Sequence, residues 1–330
     1  MEQMPSDEEL CIASLADRDS VVAIADDVHS GADYLPATYP SLVQGPGVRG
    51  YIYKKGGKTV GFMSTQVIDG GRTLLTTAGR IVEEYRGSGV YGRFKPLILD
   101  QYIRSPDICY LTFTVNNLNM AVNGQRLLRT YRKVSERAVT SVELTSSDFS
   151  FQRKTESDNP RMRILSSDDM TSIMSSESLD DLLHLFPDRR MILDWKPYRA
   201  MPENVPIITN TCTHCVFVAT YAESSSPLDR ARSSLPRILS AGSYYRCKIG
   251  THYAADLFGD GSEDELRAHI TWHILRSVET GNGNVAFNVY YTRNLDEIMA
   301  DLAKTFPLRK SNLPFKQQIL LERELKSGFL

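Results

Sequence analysis

The segment Ile81-Val82-Glu83-Glu84-Tyr85-Arg86-Gly87-Ser88-Gly89-Val90-Tyr91-Gly92 limits the possible folds more than any other part of this chain. A strand-like run over Leu74 to Val82 ends there in a glycine-punctuated loop. Arg93-Phe94-Lys95-Pro96-Leu97-Ile98-Leu99-Asp100-Gln101-Tyr102 then follows with helical spacing. Such a loop is built to hold an anion. Glycines let the backbone approach closely, successive N–H groups can point at phosphate oxygens, and the helix N-terminus favours negative charge by about 0.3–1 kcal/mol. The ligand expected here carries a pyrophosphate.

Two familiar phosphate loops do not fit. A Walker loop ends in Gly-Lys-Ser/Thr, whereas Gly92 precedes Arg93 and Phe94. Gly87 to Gly92 does spell G-x-G-x-x-G, but polar Thr76, Thr77 and Arg80 interrupt the strand before it. No acidic residue closes a second parallel strand roughly 20 residues on, because Asp100 falls in the helical segment. Arg86-Gly87-Ser88-Gly89-Val90-Tyr91 instead resembles the acyl-CoA loop of the GNAT acetyltransferases, Gln/Arg-x-x-Gly-x-Gly/Ala, at Arg86 and Gly89. Tyr91 stands where the pattern has a small residue, and either crowds the phosphates or points away from them.

The order of elements agrees with that resemblance. Cys11 to Ala16 reads as a strand, and Asp17 or Asp19 caps a helix running to about His29. Gly50 to Lys54 and Thr59 to Val67 flank Lys55-Gly56-Gly57-Lys58, a hairpin signal. Downstream, Ile108 to Val115 reads as a buried strand. Leu118 to Tyr131 reads as a helix with an apolar stripe at Leu118, Val122, Leu127, Leu128 and Tyr131.

Within the GNAT superfamily the chain resembles the histidine N-acetyltransferase family. The residues that carry this are Gly31-Ala32-Asp33-Tyr34-Leu35-Pro36 with Tyr39, Val67-Ile68-Asp69-Gly70-Gly71, Arg86 to Val90, Tyr131-Arg132, Leu185-Phe186-Pro187 and Asp194-Trp195-Lys196-Pro197. The resemblance implies an α/β chain with a mixed sheet and acetyl transfer from acetyl-CoA to the α-amine of a free amino acid, histidine in the enzymes that named the family. No metal is expected. In GNAT folds the fourth and fifth strands splay, so the resemblance places pantetheine along Ile81 and Val82. It places phosphates at Arg86, Gly87, Ser88, Gly89, Val90, Tyr91 and Gly92, and a further CoA contact at Asn119. Tyr131 takes the place of the acid that protonates the departing thiolate. Substrate contacts are expected from Asp33, Tyr34, Tyr39, Asp69 and Thr77, with Asp33, Asp69 and Glu83 as candidate bases. No carboxylate stands between Thr73 and Val82, and Ser135-Glu136 replaces the Gly-Phe common after the tyrosine helix. Acetylation of another amino acid or a peptide N-terminus, or a non-catalytic CoA-binding role, stays open on these grounds.

Composition excludes other classes. A net charge of −2 is too little basic charge for general nucleic-acid affinity. No apolar run approaches the roughly 18 residues of a membrane span, and the acidic start Met1 to Glu9 is not a signal peptide. Five scattered cysteines fit reduced thiols, so a cytoplasmic protein is expected, its oligomeric state open; the small-molecule amine as partner is what the resemblance implies.

The second half echoes the first. Val285 to Tyr291 is a strand, Asn294-Leu295 opens a helix ending near Phe306, and Asp260-Gly261-Ser262 opens one to about Val278. The expected organisation is a catalytic GNAT domain over 1–150, a linker over 151–162, and a degenerate, non-catalytic GNAT-like domain over 163–330. Cys212-Thr213-His214-Cys215 lacks a second pair for zinc. His269 and His273 lack the glutamate of a zinc protease, and the Asp256 to Asp260 stretch puts Phe258 where a calcium loop needs oxygen.

Overall fold

Apolar runs such as Tyr51-Ile52-Tyr53, Phe62-Met63 and Leu74-Leu75 build three antiparallel strands buried on both faces, and Gly56 and Gly57, both at positive φ, make the first tight turn between them. The computed structural model describes residues 5–26, 28–149, 162–176, 179–210, 214–221, 235–281 and 283–325. The chain divides into two units, Met1–Phe113 with Glu322–Leu330, and Thr114–Leu321.

In the first unit β1 (Glu8–Ile12), β2 (Val48–Lys55), β3 (Lys58–Ile68) and β4 (Thr73–Ile81) pair in that order, all antiparallel. Between β1 and β2 lie α1 (Arg18–Val22) and α2 (Leu35–Val43). They bury Val21, Leu35, Tyr39 and Leu42 against Ile52, Phe62 and Ala78 on one face of the sheet. After β4, α3 (Val90–Ile103) packs Val90, Phe94 and Ile98 against Tyr51, Tyr53 and Met63 on the other face, as strand alternation requires. The α3 crossover makes β5 (Tyr110–Asn116) parallel to β4. Leu325 N–H donates to the Cys109 carbonyl at 2.7 Å, so the end of the chain also belongs to this unit.

The pairing of β4 is uneven on both sides. Against β5 it runs only from Thr73–Tyr110 to Leu75–Thr112. Against β3, Ser64 pairs with Thr77 but Phe62 pairs with Arg80, so β4 carries one extra residue there. Ala78, at φ +56, is the left-handed residue of this bulge, a conformation that costs a non-glycine residue about 1–2 kcal/mol. The bulge bends β4, and Thr76 to Ile81 has no strand on its β5 side among the described residues.

The second unit starts with α4 (Asn117–Leu128) and β6 (Arg132–Thr145). After it come β7 (Met162–Leu165), α5 (Ser167–Met174), α6 (Leu179–Leu185), the hairpin β8 (Arg190–Leu193) and β9 (Lys196–Arg199), α7 (Val205–Thr209), β10 (Val216–Thr220), β11 (Ile238–Cys247), β12 (Gly250–Gly259), α8 (Glu263–Thr280), β13 (Asn284–Tyr291), α9 (Asp296–Leu302), β14 (Arg309–Lys310) and β15 (Gln317–Glu324). Its sheet runs β15-β6-β13-β12-β11-β10-β7. Leu266, Ile270, Ile274 and Val278, one helical face of α8, bury against Leu257, Phe287 and Val289.

Three expectations change here. The units divide at 113/114 and not at 150, because β6 gives its hydrogen bonds to β13, from Ala138–Tyr291 to Thr145–Asn284. The expected linker 151–162 lies outside the described residues except for Met162, which opens β7. The helix expected to reach Tyr131 stops at Leu128, where the N–H groups of Thr130 and Tyr131 both turn back to the Leu127 carbonyl. Its apolar stripe is not core either, since Leu118 and Leu128 are exposed and Val122 is 84% exposed.

The metal-like motifs are structural. His269 bonds to Thr220 and Ser240, and His273 to Tyr253 and Ser240; burial holds both rings neutral, with His269 pushed down to about 4. Cys212 lies outside the described residues, and Asp256 pairs with Arg137. No described helix is long and apolar enough to cross a membrane.

Candidate active site

The loop after β4 has the features of an anion cradle. Gly87 and Gly89 sit at φ +80 and +81, a region glycine enters freely. Gly89 is the N-cap of α3 and offers no side-chain cap. A Cβ built on Gly87 or Gly92 would meet nothing within 4 Å, which leaves open space over the loop. Among the described residues, the N–H groups of Gly87, Gly89, Val90 and Gly92 donate to no backbone carbonyl. No acidic residue stands in the first turn of α3. Arg86 is exposed, its Nε donating to the Ile81 carbonyl at 3.1 Å. These residues fit a pyrophosphate-bearing ligand.

Tyr91 points away from that space. A Cβ on Gly79 would lie 3.2 Å from its hydroxyl, so the ring rests on β4 beside the bulge and leaves the open side of Gly92 clear. Val82 is not a free strand edge. Its N–H donates to Val60 and its carbonyl accepts from Tyr85, so the edge available to a pantetheine arm lies upstream, over Thr76 to Arg80. Beneath the loop, Arg93 donates to Glu8 at 2.8 and 3.2 Å, and Glu8 also takes Lys55 and the Tyr53 hydroxyl. Arg93 beside it holds the Glu8 carboxyl down at about 2.

On the opposite face the bulge carries a polar cluster. Arg80 grips Asp33 through two hydrogen bonds of 2.7 and 2.5 Å, and both residues are 8% exposed. The second oxygen contact is reinforced locally, because Asp33 Oδ1 also accepts from Leu35 N–H at 2.9 Å and so fixes the start of α2. Tyr34 lies with its ring 5.7 Å from the Arg80 guanidinium, and Thr77 and Arg80 both act on its phenol. Burial pushes its phenol up, which keeps it a neutral donor. Asp33, Tyr34 and Thr77, expected as substrate contacts, therefore come together around Arg80.

Comparison with known proteins decides what such a site belongs to. A family model described as histidine N-acetyltransferase, C-terminal, matches residues 158–292. The chain is 25% identical over 309 residues to the histidine N-acetyltransferase of Oreochromis niloticus, spanning 88% of this chain and 86% of that protein. It is 23% identical over 331 residues to that of Xenopus tropicalis, spanning 96% and 95%. In fold it matches a tandem GNAT protein from the clavulanic acid biosynthesis pathway, with a TM-score of 0.53, 12% identity and coverage of 98% and 100%. A GCN5-related N-acetyltransferase from Sphaerobacter thermophilus gives 0.54, 11%, 99% and 98%. The chain has a mixed α/β GNAT fold and is distantly similar in sequence to the histidine N-acetyltransferases.

The corresponding loop of the second unit lacks the features of an anion cradle. Its parallel strands β12 and β13 pair over six residues, from Thr251–Val285 to Asp256–Tyr290, against three for β4 and β5. The helix that follows, α8, is capped by its own Ser262 and Glu265, and its first turn holds Glu263, Asp264 and Glu265, which repel phosphate. A Cβ on Gly261 would lie 1.8 Å from Ile238, so its loop is filled.

Other expected residues fall elsewhere. Tyr39 is fully buried against Phe62, with its hydroxyl donating to the Ser14 carbonyl, so it is core and not a substrate contact. Asp69 is 2% exposed at φ +57 in the turn before β4, whose first residue, Thr73, already lies about 13 Å along the strand from Thr77 at 3.3 Å per residue. Asn119 and Tyr131 belong to the second unit. Asn119 is exposed at the start of α4 and its N–H is capped by Asn116 at 2.8 Å, while the neighbouring Asn117 side chain accepts from Lys316 and Gln317. Sequence reasoning missed Arg80, taken only as a polar interruption. Gly79 beside it, alone within an apolar strand, was the available signal of a bulge.

Proposed function

We propose that the first unit binds acetyl-CoA and transfers its acetyl group to the α-amine of a free amino acid, with histidine as the favoured acceptor. The observation that carries this reading is the bulged end of β4, released from β5 after Leu75 and running directly into an open glycine loop. Histidine is favoured because the relatives spanning most of the chain bear that activity in their names.

Gly87 to Gly92 would hold the pyrophosphate through main-chain N–H groups, and the unpaired edge of Thr76 to Arg80 would hold the pantetheine arm. Acetyl-CoA, when bound, supplies the activated thioester. This chain's part is alignment and polarity: rigid strand N–H groups at the bulge offer donors to a developing oxyanion, and holding two reactants together lowers much of the barrier. Tyr34 and Thr77, fixed by the Asp33–Arg80 pair, form the wall that orients the acceptor. Asp33 is committed to Arg80 and to Leu35 N–H, which leaves it poorly placed as a base. Deprotonation then draws on the amine itself, whose unperturbed pKa of about 7.7–8.0 or above leaves a reactive fraction near neutral pH. Protonation of the thiolate falls to Tyr131 on the family resemblance alone.

Thiol release from acetyl-CoA, measured over a panel of free L-amino acids with mass detection of the N-acetyl product, tests this. Histidine should give the highest kcat/KM. Tight CoA binding with no thiol release for any amine would leave a non-catalytic CoA binder.

A further inference from the structure

Gly79 and Tyr91 are fitted to each other. Glycine weakens the interior of a strand, so one kept there marks a bulge or a close approach. Gly79 follows the left-handed Ala78 of the β4 bulge, but its own φ is not positive, so backbone shape does not demand glycine at 79. Close approach is the remaining reason. A Cβ at position 79 would lie 3.2 Å from the Tyr91 hydroxyl oxygen, 3.3 Å from its Cε2 and 3.7 Å from Met63 Cε, so an alanine would have to push the phenol ring aside. Tyr91 is the second residue of α3, and Met63 belongs to the core on the α3 side of the sheet, so the ring lies on that face.

This place is open to a ligand. Gly79 is exposed and Tyr91 is 38% exposed, while Val90 beside it is buried. Gly79 also lies beyond Leu75, the last β4 residue paired with β5, on the stretch with no strand at its β5 side among the described residues. The phenol thus reaches from the loop proposed for the pyrophosphate to the edge proposed for the pantetheine. Its chemistry matches that arm. Pantetheine alternates short carbon segments with two amides; an aromatic ring covers the first, and a phenolic hydroxyl, which both donates and accepts, matches the second.

We propose that Tyr91 is a cofactor-binding residue that recognises the pantetheine arm of acetyl-CoA, its ring packed on the carbon segments and its hydroxyl hydrogen-bonded to an amide, and that Gly79 stays bare to admit it. The inference rests on the acetyl-CoA reading of the first unit. It gives the large residue at 91, where the acyl-CoA pattern has a small one, a role of its own: it selects ligands that carry the arm.

The test is isothermal titration of the full chain with CoA and with 3′-phospho-ADP, which is CoA without its pantetheine, on wild type, Tyr91→Phe and Gly79→Ala. Phenylalanine keeps the ring and removes only the hydroxyl, and alanine is unstrained at the φ of position 79, so both variants should fold. Tyr91→Phe should weaken CoA by about 3- to 10-fold, the worth of one neutral hydrogen bond, and leave 3′-phospho-ADP unchanged. Gly79→Ala should weaken CoA with the same selectivity, and should lose most of that effect in a Tyr91→Ala background, where the ring it displaces is gone. Unchanged CoA affinity in Tyr91→Phe, equal loss for both ligands, or an undiminished Gly79→Ala effect without the ring would overturn the proposal and leave the acetyl-CoA reading standing. Wild type that binds neither ligand would remove that reading, and the proposal with it.

Discussion

Gly92→Asp separates folding from ligand binding with a single change. Gly92 lies in the first turn of α3 in a helical conformation, and a side chain there would meet nothing within 4 Å. Asp has a better helix propensity than Gly, and an acid near a helix N-terminus is worth about 0.3–1 kcal/mol, so the melting temperature should stay level or rise. Binding should move the other way. Two unit charges about 5 Å apart interact by roughly 1 kcal/mol at a dielectric of 80 and about 3 kcal/mol at 20. The variant carboxylate should therefore weaken CoA by about 5- to 150-fold, taking 1.4 kcal/mol per factor of ten. Gly92→Asn supplies the same bulk without the charge. Titration of CoA against wild type and both variants, at low and high salt, measures the effect. The Asp deficit should shrink as salt rises, because screening shortens the reach of exposed charges. Equal dissociation constants for the Asp and Asn variants, both folded, would refute the placement of the pyrophosphate. Gly89 is a poorer choice, since its φ of +81 would strain any side chain.

Three further outcomes are expected. Arg80→Met leaves the Asp33 carboxylate buried without its partner and should destabilise the protein by about 3–5 kcal/mol in urea denaturation; Asp33→Leu in the same chain should recover much of that, and a single variant as stable as wild type would contradict the pairing. Tyr131→Phe should lower kcat well below wild type while acetyl-CoA affinity holds, and an unchanged kcat would remove the acid role. The depressed pKa of Glu8, about 2 against 4.5, means that its contribution to stability is complete above the unfolded value and is lost as pH falls from about 4.5 toward 2. The urea midpoint of wild type should fall through that window, and Glu8→Gln should flatten the dependence; parallel curves would show that Glu8 has no part in it.

Much of the first unit was legible in the sequence because its signals are local. Apolar strand runs, the Gly56-Gly57 turn and the glycines at 87, 89 and 92 each dictate backbone shape within a few residues. Asp33, Tyr34 and Thr77 could be named from the sequence, but the arginine that brings them together could not. Asp33 and Arg80 are distant in sequence, and their meeting depends on a one-residue bulge. Tyr39 was misread for a similar reason: only the tertiary packing shows its hydroxyl already satisfied by Ser14. The boundary at 150 failed because composition marks a polar connector but does not reveal that β6, which precedes it, pairs with β13. The second unit's lack of a glycine loop was visible in the sequence, whereas the self-capped, acidic start of α8 emerged only with the structure.

Hydrogen exchange of the full chain with and without CoA addresses the central assignment most directly. Protection should appear over residues 76–92 of the first unit, where the released strand edge meets the open loop, and be absent from 259–265 in the second. Protection confined to 259–265, or CoA binding that leaves 76–92 unprotected, would contradict it.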